Sequence, residues 1–170
     1  MGSTTYDVIR KADNPVFVEK FSRDEEGTVI PAREQAFKKV MLPVDFSDCS
    51  YQVIERVKNL SESLERILLV NTIESGQDRE ELEEKKARAR EKLIKIKKEL
   101  QENQITEQID IKITTGASSQ KIIEIVEEKN IDTIAMATTG AGSLREILLG
   151  STADRVVKHS PVSVLLYPCK

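Results

Sequence analysis

With 170 residues, a net charge of −3 and a pI near 5.4, the chain is long enough for one domain with a real core. It lacks the overall positive field that would draw nucleic acid or an anionic membrane surface. Hydrophobic residues make up 39% of it, with no Trp and only four Phe, so the core must come from Ile, Val and Leu, the composition of a parallel sheet buried on both faces. No apolar run approaches the roughly 18 residues that a membrane span needs, and no charged-then-apolar signal segment opens the chain, so the expected location is cytoplasmic, with no membrane partner.

The first segment, GSTTYDVIRKADNPVFV (2–18), repeats a stretch near the other end of the chain, GSTADRVVKHSPVSV, which starts at Gly150. Gly2-Ser3-Thr4 aligns with Gly150-Ser151-Thr152, Val8 with Val156, Arg10 with Lys158, and Pro15-Val16 with Pro161-Val162 after a short gap. A cloning remnant at Met1-Gly2-Ser3 would not explain agreement running on to Val18. Residues 1–20 therefore read as the last helix and strand of a preceding domain of the same kind, 21–36 as a charged linker, and 37–170 as the domain itself.

From residue 38 onward strand and helix patterns alternate. KKVMLPV (38–44) is a short apolar run stopped by Asp45-Phe46-Ser47-Asp48, where Ser47 or Asp48 can cap a helix carrying Val53, Val57, Leu60 and Leu64. RILLVNT (66–72) is the second strand. The charged stretch 78–103 keeps Leu82, Ala89, Leu93, Ile96 and Leu100 on one helical face. Glu81/Lys85, Glu84/Arg88 and Glu91/Lys95 stand as i,i+4 pairs, so its charges read as a solvated face. Ile109, Ile111 and Ile113 alternate with Asp110 and Lys112, a strand wetter on one face and suited to a sheet edge. Gly116-Ala117-Ser118-Ser119 opens a helix with Ile122, Ile125 and Val126 on one side, and TIAMA (133–137) is a short buried strand. A loop at 138–143, an apolar stretch at 147–149, a helix from about Ser151 and a strand within 161–166 complete the pattern. His159 stands near the end of that last helix and, as the only histidine, cannot build a triad or a histidine metal cluster. Cys49 and Cys169 have neither close sequence partners nor metal-ligand spacing, and are expected as separate reduced thiols.

Five strands alternating with helices predict an α/β fold: an open five-stranded parallel sheet of order 3-2-1-4-5, Rossmann-like and doubly wound, with helices on both faces. Ligands of such sheets bind beyond the carboxyl ends of the strands where the order reverses. Two strand ends meet there, Pro43-Val44-Asp45 and Met136-Ala137-Thr138-Thr139-Gly140. The loop begun at Gly140 closes on Gly150-Ser151-Thr152 at a helix start, where free N–H groups, hydroxyls and the helix dipole make a phosphate seat. The plainer possibility is that Gly140 and Gly142 serve tight turns and Ser151 is an ordinary N-cap. Neither a G-x-x-x-x-G-K-[S/T] loop nor a G-x-G-x-x-G after the first strand is present.

The stretch MATTGAGSLREILLGSTADRVVKHSPVSVLL resembles the C-terminal signature of universal stress proteins, a G-x2-G-x9-G-[S/T] motif that wraps the ribose and phosphates of a nucleotide. Gly140 and Gly150-Ser151 match its second half, and its first glycine falls on Ala137. The opening VMLPVDFSDCS is similar to the family's first strand and puts Asp45 where the family contacts adenosine. Asn71 matches the position whose main chain faces adenine. The resemblance spans residues 37–168. It implies an adenine-nucleotide-binding stress sensor or adaptor that uses ATP or AMP, with Mg2+ only alongside a bound triphosphate. It also implies a homodimer or tandem pseudo-dimer through the last strand (162–166), to which residues 15–19 could contribute by pairing with that edge. Two alternatives stand: a non-nucleotide-binding dimeric interaction module of the same family, for which Ala137 would mark a lost site, and a slow Mg-dependent ATPase. No base paired with a nucleophile is found, so dedicated catalysis is not expected.

Overall fold

The computed structural model describes residues 3–74, 76, 78–140 and 149–169. In chain order its elements are α1 (Ser3–Lys11), β1 (Val16–Val18), β2 (Phe21–Arg23), β3 (Val29–Pro31), β4 (Lys39–Pro43), α2 (Asp48–Val57) and a 3-10 turn (Lys58–Ser63). There follow β5 (Arg66–Ile73), α3 (Arg79–Glu102), β6 (Gln108–Thr115), α4 (Ser118–Glu128), β7 (Thr133–Ala137), α5 (Ser151–His159) and β8 (Ser163–Tyr167).

Strand side chains alternate between opposite faces, and here the two faces feed two separate cores. Val40, Leu42, Ile67, Leu69, Ala135 and Leu165 pack on one side with Val53, Ile54 and Val57 of α2 and Leu93, Ile96 and Leu100 of α3. Met41, Leu68, Val70, Ile134, Met136 and Leu166 pack on the other with Ile122, Ile125 and Val126 of α4 and Ala153, Val156 and Val157 of α5. Near-continuous apolar strands thus have helices on both faces. α3 is the extreme case of a one-sided helix: it buries only Ala89, Leu93, Ile96 and Leu100. Its outer face carries the ion pairs Glu81–Lys85 at 2.8 Å and Glu84–Arg88 at 3.4 Å.

The sheet runs β1-β8-β7-β4-β5-β6. This corrects the five-stranded, wholly parallel expectation: the sheet has six strands and is mixed, because β1 lies antiparallel on the outer edge of β8, with Val16 opposite Leu166, Phe17 opposite Leu165 and Val18 opposite Val164. The remaining pairs are parallel. An open β8 edge would leave a row of unpaired backbone groups, and residues 16–18 of the same chain fill it. The extension is anchored besides: Ile9 of α1 is buried in the core beneath α4 and α5. The Lys20 amide donates to Ser163 Oγ at 3.1 Å, and Lys20 Nζ donates to the Val157 carbonyl at 2.8 Å. Burial of that ammonium lowers its pKa from the usual lysine range.

Residues 21–36, expected as a linker, contain the β2–β3 hairpin. Its turn forms because Asp24 Oδ1 accepts from the amides of Glu26 at 3.0 Å and Thr28 at 2.8 Å, while Gly27 takes the left-handed conformation with φ +82°. The cysteines depart from expectation too. Cys49 and Cys169, 120 residues apart in sequence, are joined as a disulfide with Cα atoms 5.3 Å apart. They meet because α2 packs over the end of β8, where the Arg56 guanidinium lies 5.8 Å from the centre of the Tyr167 ring. His159 is exposed as the last residue of α5. No helix among the described residues is long and apolar enough to cross a membrane.

Candidate functional site

The chain leaves β4 toward β5 on one side, while β7 lies on the other, so the order reverses between β4 and β7 and their carboxyl ends open a crevice. A cavity of about 370 Å³ occupies it. Pro43, Val44 and Asp45 line one wall, Met136, Ala137 and Gly140 another, and Gly150, Ser151 and Thr152 close it.

Each wall is held by local chemistry. Asp45 Oδ1 accepts from the Ser47 amide at 3.0 Å and from Ser47 Oγ at 2.5 Å, and Ser47 in turn caps α2 by accepting from the Ser50 amide. Phe46 between them takes φ +63°, so a side-chain hydrogen bond fixes the carboxylate at the end of β4. Gly140 faces that carboxylate so closely that a Cβ on residue 140 would overlap Asp45 Oδ2. A side chain at residue 140 would therefore force the Asp45 carboxylate out of this position. The two ends of the following loop are bound together: the Thr138 amide donates to the Tyr167 carbonyl at 2.9 Å, and the Gly150 amide donates to the Thr138 carbonyl at 2.7 Å. The expected segments 141–143 and 147–148, Gly142 among them, lie outside the described residues.

The helix starts around the cavity differ in a way that bears on ligands. α2 and α3 have side-chain caps, from Ser47 and Asp78. α4 and α5 have none: their N-cap positions are Ala117 and Gly150. Ser151 is therefore the first helical residue of α5 and not its cap, which removes the plainer reading of that serine. Ser118 of α4 and Ser151, Thr152 and Ala153 of α5 all line the cavity, so two uncapped helix starts face the same space. First-turn amides without a cap are the donors that anions seek, and the helix dipoles add to their effect.

The Asn71 side chain does not line the cavity. It is buried, and its Nδ2 donates to the Val44 carbonyl at 2.7 Å, tying the ends of β4 and β5 together. The period of two along β5 explains this: Val70 and Thr72 face the cavity and Asn71 faces away. Sequence reasoning also missed Ser50, Glu74 and Ser118 as lining residues. Glu74 accepts from Ser118 Oγ at 3.0 Å. The signal was available in Gly116-Ala117-Ser118, a glycine and a serine at a helix start directly after a strand, of the same type as Gly150-Ser151.

A model of the universal stress protein family matches residues 36–168. The chain belongs to the universal stress protein family. Universal stress protein MJ0531 of Methanocaldococcus jannaschii is 31% identical to it over 155 residues, 84% of this chain and 90% of that one. The solved structure of MJ0577, from the same organism, is 31% identical with a TM-score of 0.71, over 80% of this universal stress protein and 99% of that chain. A universal stress protein structure from Archaeoglobus fulgidus, 25% identical with a TM-score of 0.64, covers 99% of this chain and is matched over 54% of its own, so the likeness there takes in the N-terminal extension. Another universal stress protein, solved in complex with cAMP, shares the fold with a TM-score of 0.60 at 18% identity over 78% of this chain and 98% of that one.

Replacing Asn71 by Ala should destabilise the domain by about 1–3 kcal/mol, because the buried Val44 carbonyl loses its donor. Urea unfolding with an unchanged midpoint would show that this bond contributes nothing.

Proposed function

We propose that this universal stress protein binds an adenine nucleotide, ATP or AMP, in the cavity between the ends of β4 and β7, and that the bound nucleotide alters the surface offered to a partner. The observation that carries the reading is the pair of uncapped helix starts, at Ser118 and at Gly150-Ser151-Thr152, converging on one cavity opposite the Asp45 carboxylate. Amides and hydroxyls at the start of α5 supply donors for phosphate oxygens, and a carboxylate supplies an acceptor for ribose hydroxyls. The volume, about 370 Å³, lies within the range of small-molecule sites. The cAMP complex of a protein with this fold is consistent with an adenine nucleotide as the ligand class.

In this reading Pro43, Val44, Met136 and Ala137 form the wall for the nucleoside, Asp45 holds the ribose, and Gly140, Gly150, Ser151 and Thr152 hold the phosphates. Mg2+ enters only with a triphosphate, whose oxygens would be its main ligands. We assign no catalytic residue: the cavity's carboxylates, Asp45 and Glu74, are engaged by Ser47 and Ser118. One residue favours the second reading, a family member that works by interaction alone. It is Ala137, which stands where the family signature has glycine and lines the cavity.

The extension belongs to the same proposal. We read α1 and β1 as the closing helix and strand of a preceding universal stress domain, occupying through β1 the edge that a second copy's last strand would otherwise pair with. The match of nearly the whole chain to the longer Archaeoglobus fulgidus protein supports this.

Two measurements test these readings. Calorimetric titration of ATP and AMP into nucleotide-free protein should give micromolar binding, weakened about tenfold, or about 1.4 kcal/mol, by Asp45→Ala and abolished by Gly140→Val. No heat from either nucleotide in folded protein would leave the interaction module. Deleting residues 1–36 should raise the light-scattering mass from one chain to two by freeing the β8 edge. A folded truncated chain that stays monomeric would show that this edge does not drive association.

A further inference from the structure

We propose that Cys49 and Cys169 form a reversible dithiol–disulfide latch beside the cavity, through which the thiol redox state controls how firmly Thr138, Thr139 and Gly150 are held at its edge. The two cysteines sit at the edge of the cavity. Cys49 lies in the first turn of α2, beside the cavity-lining Ser50, and its Sγ is 3.8 Å from Oγ1 of Thr139, another lining residue. Cys169 lies just beyond β8, whose last residue, Tyr167, presents the carbonyl that holds the Thr138 amide. Thr138 in turn holds Gly150. Disulfide, chain and hydrogen bonds thus join the start of α2 to Thr138 and Gly150.

Both cysteines are half-buried. Their Cα separation of 5.3 Å lies in the ordinary disulfide range, so closure needs no backbone movement. The oxidant we name is a low-molecular-weight disulfide such as oxidised glutathione. One cysteine thiolate attacks a glutathione sulfur, the S–S bond breaks, and a glutathione thiolate leaves with the electron pair. The second cysteine thiolate then attacks the protein-bound sulfur of the mixed disulfide and expels the second glutathione. The protein gives up two electrons and two thiol protons, and two glutathione thiols are formed.

With the bond open, that link is broken, and Thr138 and Gly150 gain freedom. Because the bond spans 120 residues, it also restricts the unfolded chain strongly, so the oxidised form should melt at least about 5 °C higher. The consequence for nucleotide affinity rests on the reading of the cavity given above; the latch itself does not.

The test uses the full chain equilibrated in glutathione buffers of stepped redox ratio, then alkylated and weighed intact. The proposal expects a single two-electron transition to the internal disulfide. Two free thiols at the most oxidising ratio, or a mixed disulfide that persists on one cysteine, would overturn it. Amide exchange read by mass spectrometry should slow at least about threefold in peptides covering Thr138 and Gly150 on oxidation. Cys169→Ser and Cys49→Ser should hold the faster exchange in every buffer, and exchange indifferent to redox state would refute the coupling. ATP titrated into both forms should bind at least about threefold more tightly to one of them, and equal affinities would likewise refute the coupling. If neither form binds ATP, the nucleotide reading fails while the mass and exchange measurements still decide the latch.

Discussion

A helix that begins without a side-chain cap leaves its first-turn amides without an acceptor on the cap residue, and two such starts line the cavity of this universal stress protein. α4 and α5 both begin beyond the carboxyl ends of parallel strands, and right-handed crossovers bring them to the same side of the sheet, over β5, β4 and β7. Had Ala117 or Gly150 been Ser or Asp, those amides would have had an internal acceptor. Ala117 and Gly150 supply no side-chain acceptor. The Asp45 carboxylate is held by Ser47 at the end of β4.

The sheet edge obeys a related constraint. Strand β8 lies outermost of the strands supplied by the main domain and would present unpaired backbone groups, and the antiparallel β1 covers them. Only three residues do the pairing, and α1, Lys20 and Ser163 hold that short strand in place. Association through β8 and folding of the extension onto β8 are mutually exclusive uses of one edge.

Much of this was legible in the residues because alternation and helical spacing are local. The apolar runs of β4, β5 and β7, the one-sided face of α3 and the glycine-serine start of α5 each declare themselves within a short window. What escaped depends on contacts that no window contains. Asn71 and Thr72 are sequence neighbours, yet the pleat sends one into a strand-to-strand hydrogen bond and the other into the cavity. The β2–β3 hairpin hides inside a charged segment because its turn is made by the side chain of Asp24, and its short strands show little alternation. The pairing of Cys49 with Cys169 requires knowing that α2 lies over the end of β8. Ser118 was visible as a helix start, but its membership of the site depends on strand order.

The central claim is that the uncapped starts of α4 and α5 are the anion seat of this domain. It is tested most directly by following the backbone amide resonances of Ser118, Ser151, Thr152 and Ala153 while AMP and then ATP are added to nucleotide-free protein. The account predicts that these four amides shift together and saturate at one nucleotide equivalent, with the amides of the capped α3 start near Asp78 unmoved. Binding that leaves the α4 and α5 amides in place, or shifts scattered over the surface without saturation, would contradict it.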